Sequence, residues 1–292
     1  MKITATCINP NCHHTDNVER MVRVYKNDRG GLYADAHGMG AAYLCPYCAS
    51  RRDSYYAEST TIHGKVKANN KTYGVEFESM ADSERARIEF LGRGWLATSD
   101  STVAIEYKTA IYRGLNALSK DCETVERLNA TGDFNTIHSN CGTHLNIGDT
   151  EHINEVTVDY IRRFCNSLFV PLTEAMEANR TATAELFGRA LGGWACGYSV
   201  YTSASEHRNF INLQHDNRIE FRICKFISAK QYMKAAKCCT EMVDAIINNF
   251  ILHFNDEPKD STRYPNKTSY RKHKAQVTAQ KLVKIYNKYI SR

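Results

Sequence analysis

Glu76-Phe77-Glu78, Thr143-His144-Leu145-Asn146 and Glu220-Phe221-Arg222 each set two polar side chains two residues apart within a strand-like run. Successive side chains alternate along an extended chain, so both polar groups of each string fall on one face. Two carboxylates on one face, with a histidine and an arginine-accompanied third carboxylate elsewhere, make a ligand set for hard divalent cations that neutralise phosphates. The pattern points to metal-dependent phosphate chemistry. Each string also has a plain structural account. Glu76 and Glu78 could be the solvated face of an edge strand, His144 a hydrogen-bonded structural residue, and the Arg208 to Arg222 run a cross-strand ladder of ion pairs.

A second chemistry is carried by cysteine. Cys7 and Cys12 are followed by Cys45 and Cys48, the latter pair enclosing Pro46-Tyr47. Two close pairs on turn-like segments form the four-thiolate arrangement of a structural zinc site, the alternative being four unrelated thiols. His13, His14 or His37 could replace one thiolate. A closed site of this kind supports folding or partner binding rather than catalysis.

The chain has 292 residues, of which 42% are hydrophobic, enough for one large domain and a small appendage. No stretch reaches the roughly eighteen continuous apolar residues of a membrane span, and the N-terminus lacks a signal peptide's apolar core. A cytoplasmic protein with reduced thiols is expected, its eleven cysteines being scattered. The net charge of +6 is concentrated late: from Lys259 onward Asp260 is the sole acid. That basic tail reads as a solvated helix with a packed Leu282/Ile285/Tyr289 side, in preference to a nucleic-acid contact.

The elements that must position these residues follow from periodicity. Strands are expected over 60–67 and 72–79 around a turn at 68–71, over 95–98 and 102–108 around a turn containing Asp100, and over 136–147, 208–212 and 218–226. Helices are expected over 81–91 with Asp82 or Ser83 as cap, over 111–128, over 156–178 with a bend near Pro171, over 185–191, over 229–254 and over 274–290. The order suits an α+β fold. Residues 1–56 read as a zinc-ribbon-like module, 57–255 as the catalytic domain and 256–292 as a basic linker and helix. Trp194, Tyr198 and Tyr201 are candidates for a pocket wall, core or rim.

Tyr73 to Glu78, the Cys141-Gly142-Thr143-His144-Leu145-Asn146-Ile147-Gly148 segment, and the run from Arg208 through Asn212 to Glu220-Phe221-Arg222 together resemble the amidoligases, relatives of glutamine synthetase that join a carboxylate to an amine using ATP. The likeness spans about residues 72 to 252. It implies a glutamine-synthetase-like catalytic domain, a curved antiparallel sheet backed by helices. It also implies Glu76, Glu78 and Glu220 as Mg2+ ligands, Glu106 as a further catalytic carboxylate, and His144 beside the metal and the nucleotide. Arg208 and Arg222 would hold the γ-phosphate or acyl phosphate, with Asn212 on the nucleotide. The family has a second histidine where this chain has Asn146, so Asn146 is expected to bind substrate or phosphate instead of metal.

A carboxylate is a poor electrophile until ATP converts it to an acyl phosphate, so such an enzyme must align and neutralise phosphoryl oxygens. Asp100 or Glu106 could then take the proton of the attacking amine. The expected cofactors are ATP, Mg2+ and structural Zn2+, and the substrates a small-molecule or peptide carboxylate and an amine. Two other readings compete: a different phosphoryl-transfer enzyme of the same wider fold, and a zinc-containing nucleic-acid-binding protein with a degenerate ligase-like domain.

Overall fold

The computed structural model describes residues 4–7, 14–26, 32–33, 40–46, 48, 62–63, 71–98, 102–109, 111–193, 195–203, 208–256 and 266–291. Cys12, His13, His37, Asp100 and Trp194 lie outside the described residues, as do the turns expected at 68–71 and 99–101, each in part or whole, and most of the stretch around Pro258 and Pro265. Helices and largely antiparallel strands coexist, an α+β composition. The chain divides into two compact units, Met1–Lys67 with Gly74–Thr143, and Ala68–Tyr73 with His144–Arg292.

The first unit begins with β1 (Thr4–Thr6) antiparallel to β2 (Thr15–Asn17), then β3 (Val22–Lys26) flanked by β4 (Leu32–Tyr33) and β5 (Gly40–Leu44). Next come β6 (Ile62–His63) and β7 (Lys71–Ser79), which enters this unit at Gly74. Helix α1 (Glu84–Gly92) starts where Ser83 accepts the Ala86 N–H, a side-chain cap for an otherwise orphaned donor. Strands β8 (Leu96–Thr98) and β9 (Ile105–Lys108) follow, with β9 antiparallel to both β7 and β8.

Strand β10 (Ile111–Tyr112) takes residues expected to open the next helix, because it pairs in parallel with β6. Helix α2 therefore starts later, at Leu115, and runs to Thr131, burying Leu118, Cys122, Val125 and Leu128 at helical spacing. Beneath β7, Phe77 stacks on Trp95 at 5.4 Å and Trp95 on Phe90 at 4.4 Å, with Tyr107 and Phe134 set against Phe90. This aromatic layer is the floor under the acidic strand.

The second unit contains β11 (Thr143–Asp149) from His144 onward, β12 (Ile211–Asn212) and β13 (Ile219–Phe221), with β13 between the other two and antiparallel to both. The strand expected over 136–147 begins only at Thr143. Gly148 has no room for a side chain: a Cβ there would meet Thr72 Oγ1 at 2.5 Å and the Asn217 carbonyl at 3.2 Å. The long helix expected over 156–178 is two helices, α3 (Glu155–Arg163) and α4 (Cys165–Ala178), and it breaks at Phe164 rather than at Pro171. Phe164 packs edge-on to Tyr160 and Phe250, so a tertiary contact sets the break, while Pro171 sits inside α4.

Helices α5 (Arg180–Phe187), α6 (Ala229–Asn249) and α7 (Lys267–Ile290) complete the unit. The basic C-terminal helix is an integral part of this core. Leu282, Tyr286 and Tyr289 are buried, Tyr286 bonds Thr183 at 2.6 Å, and Lys288 and Tyr289 reach Glu241 of α6. Ile285 is only partly buried. Among the described residues no helix is long and apolar enough to cross a membrane.

Helix α5 stops at Gly188, whose φ of +79° is a left-handed conformation that suits glycine. A Cβ there would lie 2.2 Å from the Lys225 carbonyl oxygen. Gly188→Ala should therefore cost about 2 kcal/mol or more of stability, measured as a lower urea midpoint with unchanged slope.

Candidate functional site

In the first unit, alternation along β7 buries Val75 and Phe77 in the core and turns Glu76 and Glu78 to the opposite face. Strand β9 sets Lys108 across from Glu76 and Glu106 across from Glu78. Glu78 and Glu106 are both buried, and their carboxylate oxygens approach within 4.8 Å.

Each carboxylate has donors. The Gly142 N–H donates to Glu78 Oε2 at 2.5 Å, and Thr98 Oγ1 donates to Glu106 Oε1 at 2.8 Å. Lys108 Nζ lies 3.1 Å from Glu106 and 3.9 Å from Glu76. Burial above all, and then the charge of Glu76, raise the Glu106 pKa, while Lys108 and Thr98 pull it back. Buried carboxylates that repel one another are what a divalent cation would relieve, and oxygen donors suit Mg2+ better than softer metals.

In the second unit Glu220 is the centre. Strand β13 pairs it with Asn146 on β11 and Asn212 on β12, and it is 2% exposed. Its Oε1 lies 3.3 Å from His144 Nδ1 and accepts from Arg222 Nη1 at 3.0 Å. Its Oε2 accepts from Asn212 Nδ2 at 2.6 Å and lies 3.3 Å from His215 Nε2. Arg222 Nε is buried without an acceptor among the described residues, a donor that a phosphate or carboxylate oxygen would satisfy.

Asn146 Oδ1 accepts from Arg218 Nε at 2.8 Å, so this side chain is held by a guanidinium. Arg208 is exposed, and its backbone carbonyl accepts the Cys196 N–H. The structure thus gathers Glu76, Glu78 and Glu106 in one unit and His144, Asn146, Asn212, Glu220 and Arg222 in the other.

Lys108, His215 and the Gly142 N–H are not among the expected site residues, and Arg218 is expected only as one of the cations of the Arg208 to Arg222 ladder. Lys108 is two residues from Glu106 and so on its face, a period-two signal that was readable. His215 and Arg218 belong to the polar connection between β12 and β13, where positioned loops often carry function. The Gly142 N–H leaves no trace in side-chain chemistry.

Away from these strands, Cys7, Cys45 and Cys48 bring their sulfurs within 4.8 Å of one another, all three buried. The Cys48 N–H points to Cys45 Sγ at 3.4 Å. Three sulfurs this close could together hold a metal ion.

No family model matches the chain, and no curated protein matches it. The residues themselves carry the functional argument.

Because the folded Glu106 pKa is raised, the folded state holds this proton at pH values where the unfolded chain, near 4.5, has lost it. Stability therefore falls as pH rises from about 4.5 through the raised value, and above it the cost is complete. Glu106→Gln should accordingly raise the thermal midpoint at neutral pH and flatten this part of the pH dependence, while weakening divalent-cation binding. Thermal melts across pH, with Mn2+ titration of both proteins, check both halves.

Proposed function

We propose that this protein is an ATP- and Mg2+-dependent carboxylate–amine ligase, with zinc at the Cys7/Cys45/Cys48 group and Cys12 as the fourth donor. The observation that carries the reading is the pair of acidic centres, one of carboxylates crowded about Lys108 and one built on the buried Glu220 with Arg222 beside it. An anionic substrate would give Arg222 Nε the acceptor it lacks among the described residues. The resemblance of residues 72–252 to amidoligases supports the same chemistry, with a glutamine-synthetase-like catalytic fold.

In this reading Glu76, Glu78, Glu106 and Glu220 are the oxygen donors for divalent cations, which when bound neutralise phosphoryl oxygens. Arg222 donates to the γ-phosphate as it passes to the substrate carboxylate, and then to the acyl phosphate. His144, oriented by Glu220, hydrogen-bonds a neighbouring phosphate oxygen. Asn212 holds the Glu220 carboxylate in place. Asn146 with Arg218 presents a polar pair for the carboxylate substrate, and the exposed Arg208 meets the nucleotide or acyl phosphate. The amine loses a proton as it attacks the acyl phosphate, and a carboxylate not engaged by a cation takes it.

The test is ADP release from ATP across amino acids, polyamines and short peptides, with Mg2+ present. Turnover should need both a carboxylate and an amine, and should fall at least about 100-fold in Glu76→Ala and in Arg222→Ala. Phosphate transfer to an acceptor without amide formation would assign the protein to phosphoryl transfer instead. Absence of turnover together with tight, salt-dependent nucleic-acid binding would favour the non-enzymatic reading.

A further inference from the structure

The thiolate group lies against the elements that carry the acidic site of its own unit. Cys7, Cys45 and Cys48 share one buried cluster with Met21, Val22, Leu44 and Leu91, against which Ala97 also packs. Leu91 is in the last turn of α1, and Ala97 is the middle residue of β8. Pro46, between the two cysteines of the second pair, is 3.8 Å from where a Cβ on Gly92 would stand.

From there two short paths reach the carboxylates. Strand β8 pairs with β9, and its Thr98 hydroxyl holds Glu106 at 2.8 Å. The other path runs through rings: Phe90, adjacent to Leu91, stacks on Trp95, and Trp95 stacks on Phe77, which sits between Glu76 and Glu78. Both paths stay inside the first unit.

We infer that the Cys7/Cys45/Cys48 site binds zinc and that the bound metal braces α1 and β8, fixing the Thr98–Glu106 contact and hence the cation affinity of the Glu76/Glu78/Glu106 set. The inference rests on the metal assignments above and adds control of one by the other. Three sulfurs crowded without a cation have reason to separate: as thiolates they repel, and as thiols their close contact gains little. A tetrahedral ion converts the cluster into a rigid joint, releasing protons as the thiols ionise. Leu91 is the apolar contact through which that joint meets α1.

The experiment begins with reduced full-length protein, stripped by a chelator and returned to zinc. One zinc per chain should be recovered by atomic emission, lost in Cys45→Ser, and replaceable by Co2+ with thiolate charge-transfer bands. Zinc return should slow amide exchange across residues 96–98 and 105–108 by at least about tenfold and shift the fluorescence of Trp95, read in a Trp194→Phe background. Leu91→Ala should keep its zinc and lose most of the exchange response. Mn2+ affinity should be about tenfold weaker in the zinc-free protein and should be lost in Glu106→Gln.

Absence of zinc binding, an exchange pattern indifferent to zinc, or a full response in Leu91→Ala would each overturn the brace. Mn2+ that binds equally with and without zinc would overturn the control of the acidic site. If no Mn2+ binds in either state while zinc still slows exchange, the brace stands and the acidic site's proposed role fails, along with the claim that zinc tunes its affinity.

Discussion

Dehydrating a carboxylate is costly unless donors or cations replace the lost water, and this constraint organises both units. Glu78 and Glu106 are buried because a backbone N–H, a threonine hydroxyl and a lysine stand ready for them. Glu220, buried more deeply, is enclosed by Asn212, Arg222, His144 and His215. The surrounding architecture can be understood as what it takes to hold those donors in place: paired strands that set the register, an aromatic floor under β7, and a helical layer that keeps the second unit rigid.

The compensation differs in kind between the two sets. Around Glu220 the formal charges and hydrogen bonds are nearly saturated, which suits a residue that orients its neighbours as much as it acts itself. Around Glu106 burial, and then repulsion from Glu76, persist, and the carboxyl is correspondingly less willing to ionise. The first arrangement is stable as it stands. The second stores a cost that a cation would remove, which is how a binding site differs electrostatically from an ion-pair network.

Local features were the readable ones. Alternation placed Glu76 and Glu78 opposite Val75 and Phe77, Ser83 was a recognisable cap, and the close cysteine pairs pointed to a shared site for which three of the four residues are seen together. What escaped depends on distant contacts. The helix break at Phe164 answers to Tyr160 and Phe250, and β10 exists because β6 lies beside it. His215 joins Glu220 through a loop whose path no periodicity specifies. Asn146 was legible as a polar residue on the His144 face of its strand, but its partner Arg218 was legible only as one cation in the Arg208 to Arg222 run.

The docking of α7 has a consequence for how the chain is made. Lys71 and Tyr73, at the start of β7, belong to the second unit, where Lys71 pairs with Asp244 and Tyr73 is buried beside Thr240 on α6. Tyr286, which closes the core through Thr183, is synthesised more than two hundred residues after Tyr73. A ribosome therefore releases the early part of β7 long before its α6 partners exist, and the core of the unit they join is closed by Tyr286 only when α7 emerges. Folding of the second unit is accordingly completed late, and slow synthesis between residues 73 and 286 would lengthen the interval before its core closes.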